Sequence, residues 1–260
     1  MARIAQADEQ TVNRAVAAAT AALRTWRLVS PFDRADHLTR VAERLEERRF
    51  EFAALMAIEC GKTWREADAD VSEGIDYCNY YAKEIVRFAE HPRRRDIEGE
   101  TNEYFYAPRG VVAVISPWNF PLALLANMTA AAIVTGNTVV MKPASAAAAV
   151  AAKFVAVLSE AGVPAGVVNY LPGAGSVVGE ALVKHPGVTV VAFTGSREVG
   201  CRINKLASEA PTARPGLNLV IAELGANNAI IVDDNADLDE AIKGVIGLHR
   251  GTASSRRHNR

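Results

Sequence analysis

Short apolar runs of one kind recur through the second half of the chain. Each run is continuous and rich in β-branched residues, which is typical of strands buried on both faces of a parallel sheet. The runs are Val111–Ile115, Thr138–Met141, Val167–Leu171, Val188–Phe193, Leu219–Ala222 and Ala229–Val232. Helical stretches separate or follow them, at Leu122–Val134, Ala146–Ala161, Ser176–Lys184, Glu198–Ser208 and Leu238–Ile246. This alternation predicts an α/β fold with a Rossmann-like parallel sheet over residues 110–246.

The first part of the chain has helical periodicity throughout. An alanine-rich helix is expected from Asp8 to Trp26, and a second begins at Pro31 and ends at Gly61. Trp64–Phe88 carries a further apolar stripe with a strongly charged opposite side, which is typical of a partly solvated helix. We therefore expect residues 1–91 to form an N-terminal helical part of the same domain, packed on the sheet.

Two segments differ from this pattern. Glu103–Tyr106 is typical of a short strand, and we interpret residues 92–109 as a hairpin arm that takes part in oligomerisation. Residues 247–260 form a basic tail, because the chain from His249 onward holds four arginines and no acidic residue. An anion-binding extension is the alternative interpretation of this tail.

Composition narrows the class of protein. The chain has 260 residues, 50% of them hydrophobic, and a formal net charge of −1, so nothing in its charge predicts nucleic acid or a membrane as partner. No apolar run is long enough to span a membrane, and the start does not resemble a signal peptide. The histidines are scattered and the cysteines lie far apart, at Cys60, Cys78 and Cys201. We expect a reduced, cytoplasmic protein without a metal site.

Polar or glycine-rich segments follow four of the predicted strands. They are residues 116–121, 142–145, 194–200 and 223–227. Each alone has an ordinary structural explanation, because glycines form turns and a lysine at a strand end is often solvated. Sheets of this class, however, bind ligands at the carboxyl ends of their strands. The joint placement of the four segments predicts a ligand site at that edge.

The glycines also suggest phosphate binding, with unequal strength. Residues 173–179 approach the dinucleotide fingerprint but have one residue too many, and no convincing acidic residue follows about 20 positions later. Gly195 and Ser196 open a predicted helix, where backbone N–H groups and a hydroxyl can meet a phosphate. Lys142 is placed to reach a ribose or phosphate oxygen.

These segments together resemble the aldehyde dehydrogenase superfamily, from about residue 8 to residue 246. The resemblance rests on Pro-Trp-Asn-Phe-Pro (117–121), Gly-Asn-Thr-Val-Val-Met-Lys-Pro-Ala (136–144), Val-Pro-Ala-Gly-Val-Val-Asn (163–169), Phe-Thr-Gly-Ser (193–196) and Glu-Leu-Gly (223–225). Within the superfamily the chain is most similar to 1-pyrroline-5-carboxylate (L-glutamate γ-semialdehyde) dehydrogenases. That similarity rests on Glu-Ala-Asp-Ala-Asp (66–70), Tyr-Tyr-Ala (80–82), Lys-Pro-Ala-Ser (142–145) and Gly-Ser-Arg-Glu-Val-Gly (195–200).

The resemblance implies roles for individual residues. Asn119 would donate a hydrogen bond to the oxyanion of the reaction, and Glu223 would be the general base for hydrolysis. Lys142 and Ser145 would hold the adenine ribose of NAD. The family often has Glu at the position of Ser145, where it repels a 2′-phosphate, so tolerance of NADP is also implied. The remaining cofactor-binding positions implied are Ser116, Pro117, Trp118, Ala144, Gly175, Gly179, Phe193, Gly195, Ser196, Val199 and Leu224.

The chain departs from the family pattern in two places. The family nucleophile is a cysteine in a Gly-Gln-x-Cys motif one helix after Glu-Leu-Gly-Gly, and residues 247–260 contain no cysteine. Ala226 and Asn227 replace a Gly-Lys pair of the family. Cys201 lies just inside a predicted helix, but the resemblance gives it no catalytic role. We expect a chain truncated at both ends, without the catalytic domain, whose basic tail reflects a frameshift or a misjoined gene end.

Two hypotheses of function follow. By family, the protein would carry out NAD(P)-dependent oxidation of a small-molecule aldehyde, specifically L-glutamate γ-semialdehyde to glutamate in proline catabolism, as a homo-oligomer when intact. Alternatively, the chain is a non-catalytic nucleotide-binding fragment or a pseudogene product.

Overall fold

The computed structural model describes residues 4–90, 97–103, 105–209, 218–225 and 229–250. The helices before the sheet are α1 (Glu9–Trp26), α2 (Pro31–Glu47), α3 (Arg49–Cys60) and α4 (Trp64–Glu90). Asp8 caps α1, since its side chain accepts a hydrogen bond from Thr11 N at 2.8 Å. The prediction of a single helix from Pro31 to Gly61 is wrong. The helix is interrupted at Arg48, whose φ and ψ are −108° and 16°.

A parallel sheet forms the centre of the fold. Its strands are β1 (Val111–Ile115), β2 (Thr138–Lys142), β3 (Val168–Tyr170), β4 (Val188–Gly195) and β5 (Leu219–Leu224). They lie in the order β3-β2-β1-β4-β5, and every pair is parallel. The helices that follow them are α5 (Ala123–Val134), α6 (Ala148–Glu160), α7 (Glu180–Lys184), α8 (Arg197–Glu209) and α9 (Leu238–Arg250). This strand order is that of a Rossmann-like sheet, which confirms the predicted fold class.

Helices cover both faces of the sheet. One apolar cluster joins alternate residues of β1 and β2 to α2, α3, α4, α5 and α6, with Phe52 and Phe154 fully buried in it. A second cluster joins the other residues of these strands to α1, α7 and α8. Trp26 connects α1 with α5, because its indole N–H donates to Ile133 O at 3.0 Å. The expected packing of the N-terminal helices on the sheet is therefore what the structure shows.

The predictions fail at the edge of the sheet beyond β4. Ala229–Val232 was expected to be a strand, but these residues are irregular, and Ile231 is 93% exposed. An apolar run favours a strand only where a neighbouring strand is available for pairing, and none lies beside this run in the described part of the chain. β5 was expected to be buried on both faces, yet Leu219 and Ile221 are 40% and 54% exposed.

Some predicted segments lie partly outside the described residues. Ile97 and Glu100 form an isolated antiparallel bridge, Phe105 and Tyr106 are irregular, and Tyr104 is not described. The strand expected at 103–106 is thus not formed at its last two residues, while the oligomerisation role of 92–109 stays a prediction. Residues 226–228 and 251–260 lie outside the described residues. None of the described helices has the length and hydropathy that a membrane crossing requires.

Candidate ligand-binding cleft

A cleft of about 1250 Å³ runs from the carboxyl ends of the strands toward their amino ends, where Arg109 and Asn137 also line it. It is centred on β1 and β4, which are neighbours in the sheet. The chain leaves β1 through α5 toward β2, and it leaves β4 through α8 toward β5, on the other side. Such a switch in strand order leaves a crevice between the two connections, where ligands of doubly wound sheets bind.

The structure brings nearly all predicted site residues together around this cleft. Its walls include Ser116, Pro117, Trp118, Asn119, Lys142, Ala144, Gly175, Gly179, Phe193, Gly195, Ser196, Val199, Glu223 and Leu224. Ser145 is not part of the wall; it is exposed and begins a short 3-10 turn directly after Ala144. The sequence motifs therefore converge in space, although they lie more than a hundred residues apart in the chain.

Lys142 is a buried cation at the floor of the cleft. It ends β2 opposite Ile115, and its exposed fraction is 6%. Burial lowers the pKa of its ammonium group below the usual 10.5. Its ammonium group forms no ion pair or hydrogen bond with any described residue. A bound molecule that carries hydroxyl or phosphate oxygens would supply the missing partner.

Two further polar atoms of this wall lack partners among the described residues. Ser116 Oγ and Asn119 Oδ1 are both buried and neither takes part in a hydrogen bond. An unsatisfied buried polar atom costs about 1–3 kcal/mol, so such atoms usually mark a place for a ligand or water. Both residues follow β1, in the polar segment 116–121 that was predicted to contribute to a ligand site.

The glycine-rich side of the cleft is open to a ligand. Gly175 and Gly179 bound a five-residue π-helical turn, and a Cβ at either position would meet nothing within 4 Å. Ser196 precedes α8, and its hydroxyl oxygen accepts a hydrogen bond from Val199 N at 3.4 Å. The first N–H groups of a helix have no partners within it, so α8 presents donors to this end of the cleft.

Residues of helices α4 and α5 also line the cleft, although the sequence motifs did not predict them. Tyr77 and Tyr81 line the cleft from α4; Tyr81 OH donates to Asn127 Oδ1 on α5 at 2.6 Å. Tyr77 OH donates to Glu73 Oε1 at 2.9 Å, and burial together with this hydrogen bond raises the pKa of Tyr77 to about 12. Tyr81 belongs to the apolar stripe predicted for Trp64–Phe88, and such a stripe does not distinguish a core position from a cleft wall.

Glu223 also lines the cleft, and its charge contributes to the raised pKa of Tyr77 on α4. It pairs in register with Thr194 near the end of β5 and is exposed. The loop that holds Asn119 and the strand that holds Glu223 thus face the same space.

No cysteine belongs to the described wall of the cleft. Cys78 is buried, which raises the pKa of its thiol to about 12. Cys60 Sγ donates to Ala146 O at 3.3 Å, and burial raises its pKa to about 12 as well. Cys201 is exposed on α8. The described residues also contain no group of three or more His, Cys, Asp or Glu side chains suited to a metal ion.

Fold and cleft together define a Rossmann-like α/β protein with a candidate ligand site at the switch point of the sheet. The chain belongs to the aldehyde dehydrogenase family, whose profile matches residues 1–253. It is 48% identical over 244 residues to the 1-pyrroline-5-carboxylate dehydrogenase of Geobacillus thermodenitrificans, which covers 94% of this chain and 47% of that protein. It is 45% identical over 254 residues to 1-pyrroline-5-carboxylate dehydrogenase 2 of Bacillus subtilis, with 98% and 49% covered.

A solved structure supports the same relationship. The crystal structure of 1-pyrroline-5-carboxylate dehydrogenase from Thermus with bound NAD superposes with a TM-score of 0.91 at 40% identity. The match covers 95% of this chain and 48% of that one. The chain thus spans about half the length of the curated relatives it matches. Both family and subfamily similarity inferred from the motifs are confirmed.

Proposed function

We propose that this chain binds NAD in the cleft and is the cofactor-binding part of an enzyme that oxidises L-glutamate γ-semialdehyde to glutamate. The observation that carries the proposal is the set of unpartnered polar groups at the strand ends, Lys142, Ser116 and Asn119, in a cleft built by family motifs. The relatives are named 1-pyrroline-5-carboxylate dehydrogenases, and the Thermus enzyme of that name was solved with NAD bound.

The residues of the cleft fit a dinucleotide. Lys142 would donate to ribose oxygens, and the first N–H groups of α8, with the Ser196 hydroxyl, would bind the pyrophosphate. The open glycines 175 and 179 would let the adenosine half approach the backbone. NAD supplies the hydride acceptor of the reaction. Ser145, beside this groove, carries no charge that would repel a 2′-phosphate, so we include NADP as a second cofactor.

Asn119 and Glu223 would act on the aldehyde at the other end of the cleft. The side-chain amide of Asn119 would donate a hydrogen bond to the oxygen that becomes negative when the carbonyl is attacked. The carboxylate of Glu223 would accept a proton from the water that releases the product acid. Both groups line the cleft on the side where β1 and β5 end.

A second candidate function is nucleotide binding without catalysis by this chain alone. It is favoured by one observation, the absence of a cysteine from the described wall of the cleft. Oxidation of an aldehyde by this family requires a thiolate nucleophile. The chain by itself would then bind NAD but produce no NADH from the aldehyde.

Calorimetric titration of the full chain with NAD tests the shared part of both candidates. We expect saturable binding at one site, weakened at least about tenfold in Lys142→Met because a charged hydrogen bond is lost. Lys205→Met, an exposed lysine on α8, is the matched control and should bind as the unmodified chain does. No saturation at millimolar NAD would refute both candidates. Formation of NADH from glutamate γ-semialdehyde by the purified chain would then favour the first over the second.

A further inference from the structure

A buried ion pair lies behind the loop that carries Asn119. Lys62 follows α3 and Asp70 lies in the second turn of α4; Lys62 Nζ is 2.7 Å from Asp70 Oδ2. Their side chains are 5% and 0% exposed, whereas the other ion pairs in the described part of the chain involve surface side chains. A buried pair often stabilises a fold no better than apolar residues of the same size would. The reason for this pair is therefore to be sought in what else its two groups bind.

The other hydrogen bonds and the cation–π contact described for the pair are made with residues 119–123. Lys62 Nζ donates to the backbone oxygen of Asn119 at 3.0 Å and lies 4.3 Å from the ring centroid of Phe120. Asp70 Oδ1 accepts a hydrogen bond from Ala123 N, the first residue of α5, at 2.7 Å. The pair thus holds the loop at its middle and at its end.

This arrangement replaces a cap that the loop itself lacks. Leu122 is the N-cap residue of α5, and it makes no side-chain capping bond. The first N–H groups of a helix need an acceptor, and Asp70 provides one from a different helix. Asp70 is itself held in place by Lys62. The start of α5 and the backbone of Asn119 are consequently fixed by the same two side chains.

The side chain of Asn119 has no comparable support of its own. Its Oδ1 is buried and makes no hydrogen bond with the described residues. Its direction therefore depends on where the backbone of residue 119 is held. We infer that Lys62 and Asp70 are positioning residues, which hold the loop so that the Asn119 amide faces the cleft; this rests on the proposed role of Asn119.

The alternative is that the ion pair only strengthens the packing of α4 on α5. The double substitution Lys62→Met with Asp70→Leu separates the two explanations, because it keeps volume and removes the buried charges. Packing would be retained, while Asn119 O and Ala123 N would lose their partners. A structural role alone predicts a folded protein with an unchanged Asn119, and a positioning role predicts a folded protein in which Asn119 has moved.

The experiment follows the side-chain NH2 resonances of Asn119 by ¹⁵N NMR in the full chain, assigned through their loss in Asn119→Asp. We expect these resonances to shift or broaden in the Lys62→Met/Asp70→Leu variant. The matched control is Lys153→Met with Glu51→Leu, since Lys153 also pairs with a carboxylate and lies 5.7 Å from a phenylalanine ring, but distant in the fold from the cleft. In the control the Asn119 resonances should stay in place.

Wild-type resonance positions in a folded double variant would overturn the inference. If that variant does not fold, Asp70→Asn decides in its place: it keeps the shape of the side chain and should still shift Asn119, and an unchanged spectrum would again overturn the inference. Titration of the unmodified chain with NAD tests the proposed function independently of the NMR experiment. Its failure would refute the proposed function and would leave the measured effect of the pair on Asn119 intact.

Discussion

One methyl group added at Gly195 should weaken cofactor binding and leave the stability of the fold nearly unchanged. Gly195 ends β4, and a Cβ on its backbone would lie 2.6 Å from Phe193 Cζ and 3.0 Å from Phe193 Cε2. Optimal carbon–carbon contacts are about 3.5–4.0 Å, so the ring of Phe193 would have to withdraw by roughly 1 Å. The ring is 5% exposed and lines the cleft, so its open direction is into the space proposed for NAD.

Overpacking of this kind costs about 1–3 kcal/mol. If the displaced ring occupies cofactor space, that cost falls on binding, and Gly195→Ala should raise the Kd for NAD by about 5- to 150-fold. Calorimetric titration measures the Kd, and thermal unfolding should show a midpoint change of no more than about 4 °C. Gly244→Ala is the control, because a Cβ there meets nothing within 4 Å. A folded Gly195→Ala protein with unchanged affinity would refute this reasoning.

Three further outcomes are expected. Burial lowers the pKa of Lys142, and cofactor oxygens would favour its charged form. NAD affinity should therefore fall as the pH rises through that lowered pKa. In Lys142→Met, titrations at several pH values should show no such fall in this range. Glu59 accepts hydrogen bonds at 2.8 and 2.9 Å from two N–H groups in the first turn of α6. Glu59→Ala should therefore lower the free energy of unfolding, measured in urea, by about 1–2 kcal/mol. The control Glu43→Ala, at an exposed position, should change it by no more than about 0.5 kcal/mol. Phe154 is fully buried, and Phe154→Ala should cost about 3–5 kcal/mol in the same assay; a loss below about 1 kcal/mol would contradict the described core.

The strands could be predicted where burial alone determines the structure. β1 occupies the residues that its apolar run predicts, because all five side chains are buried between two helical layers. The run at Ala229–Val232 is likewise apolar and rich in β-branched residues, yet it forms no strand in the described structure. The difference is the presence of a pairing neighbour, which the residues of a run do not specify. For the same reason the exposure of Ile221 on β5 could not be predicted from its hydrophobicity.

The candidate site could be predicted as far as it depends on loops that follow strands. Lys142 and Ser196 were predicted because the strands of a parallel sheet all have their carboxyl ends at one edge. Tyr77 and Asn127 could not be, since a helical stripe does not reveal whether it faces a core or a cleft. The pairing of Lys62 with Asp70 depends on the angle between α4 and the chain before it, and periodicity carries no information on that angle.

The two proposed catalytic residues differ in how strongly the surrounding structure fixes their positions. Asn119 follows a strand that is paired on both sides and buried on both faces, and the Lys62–Asp70 pair fixes its backbone. Glu223 lies on β5, which pairs with β4 alone among the described strands and leaves one face exposed. Strands with fewer buried contacts open more readily than the core of a sheet. In this chain the fold thus fixes the backbone of the proposed oxyanion donor, whereas the proposed general base lies on a strand with one paired edge and an exposed face.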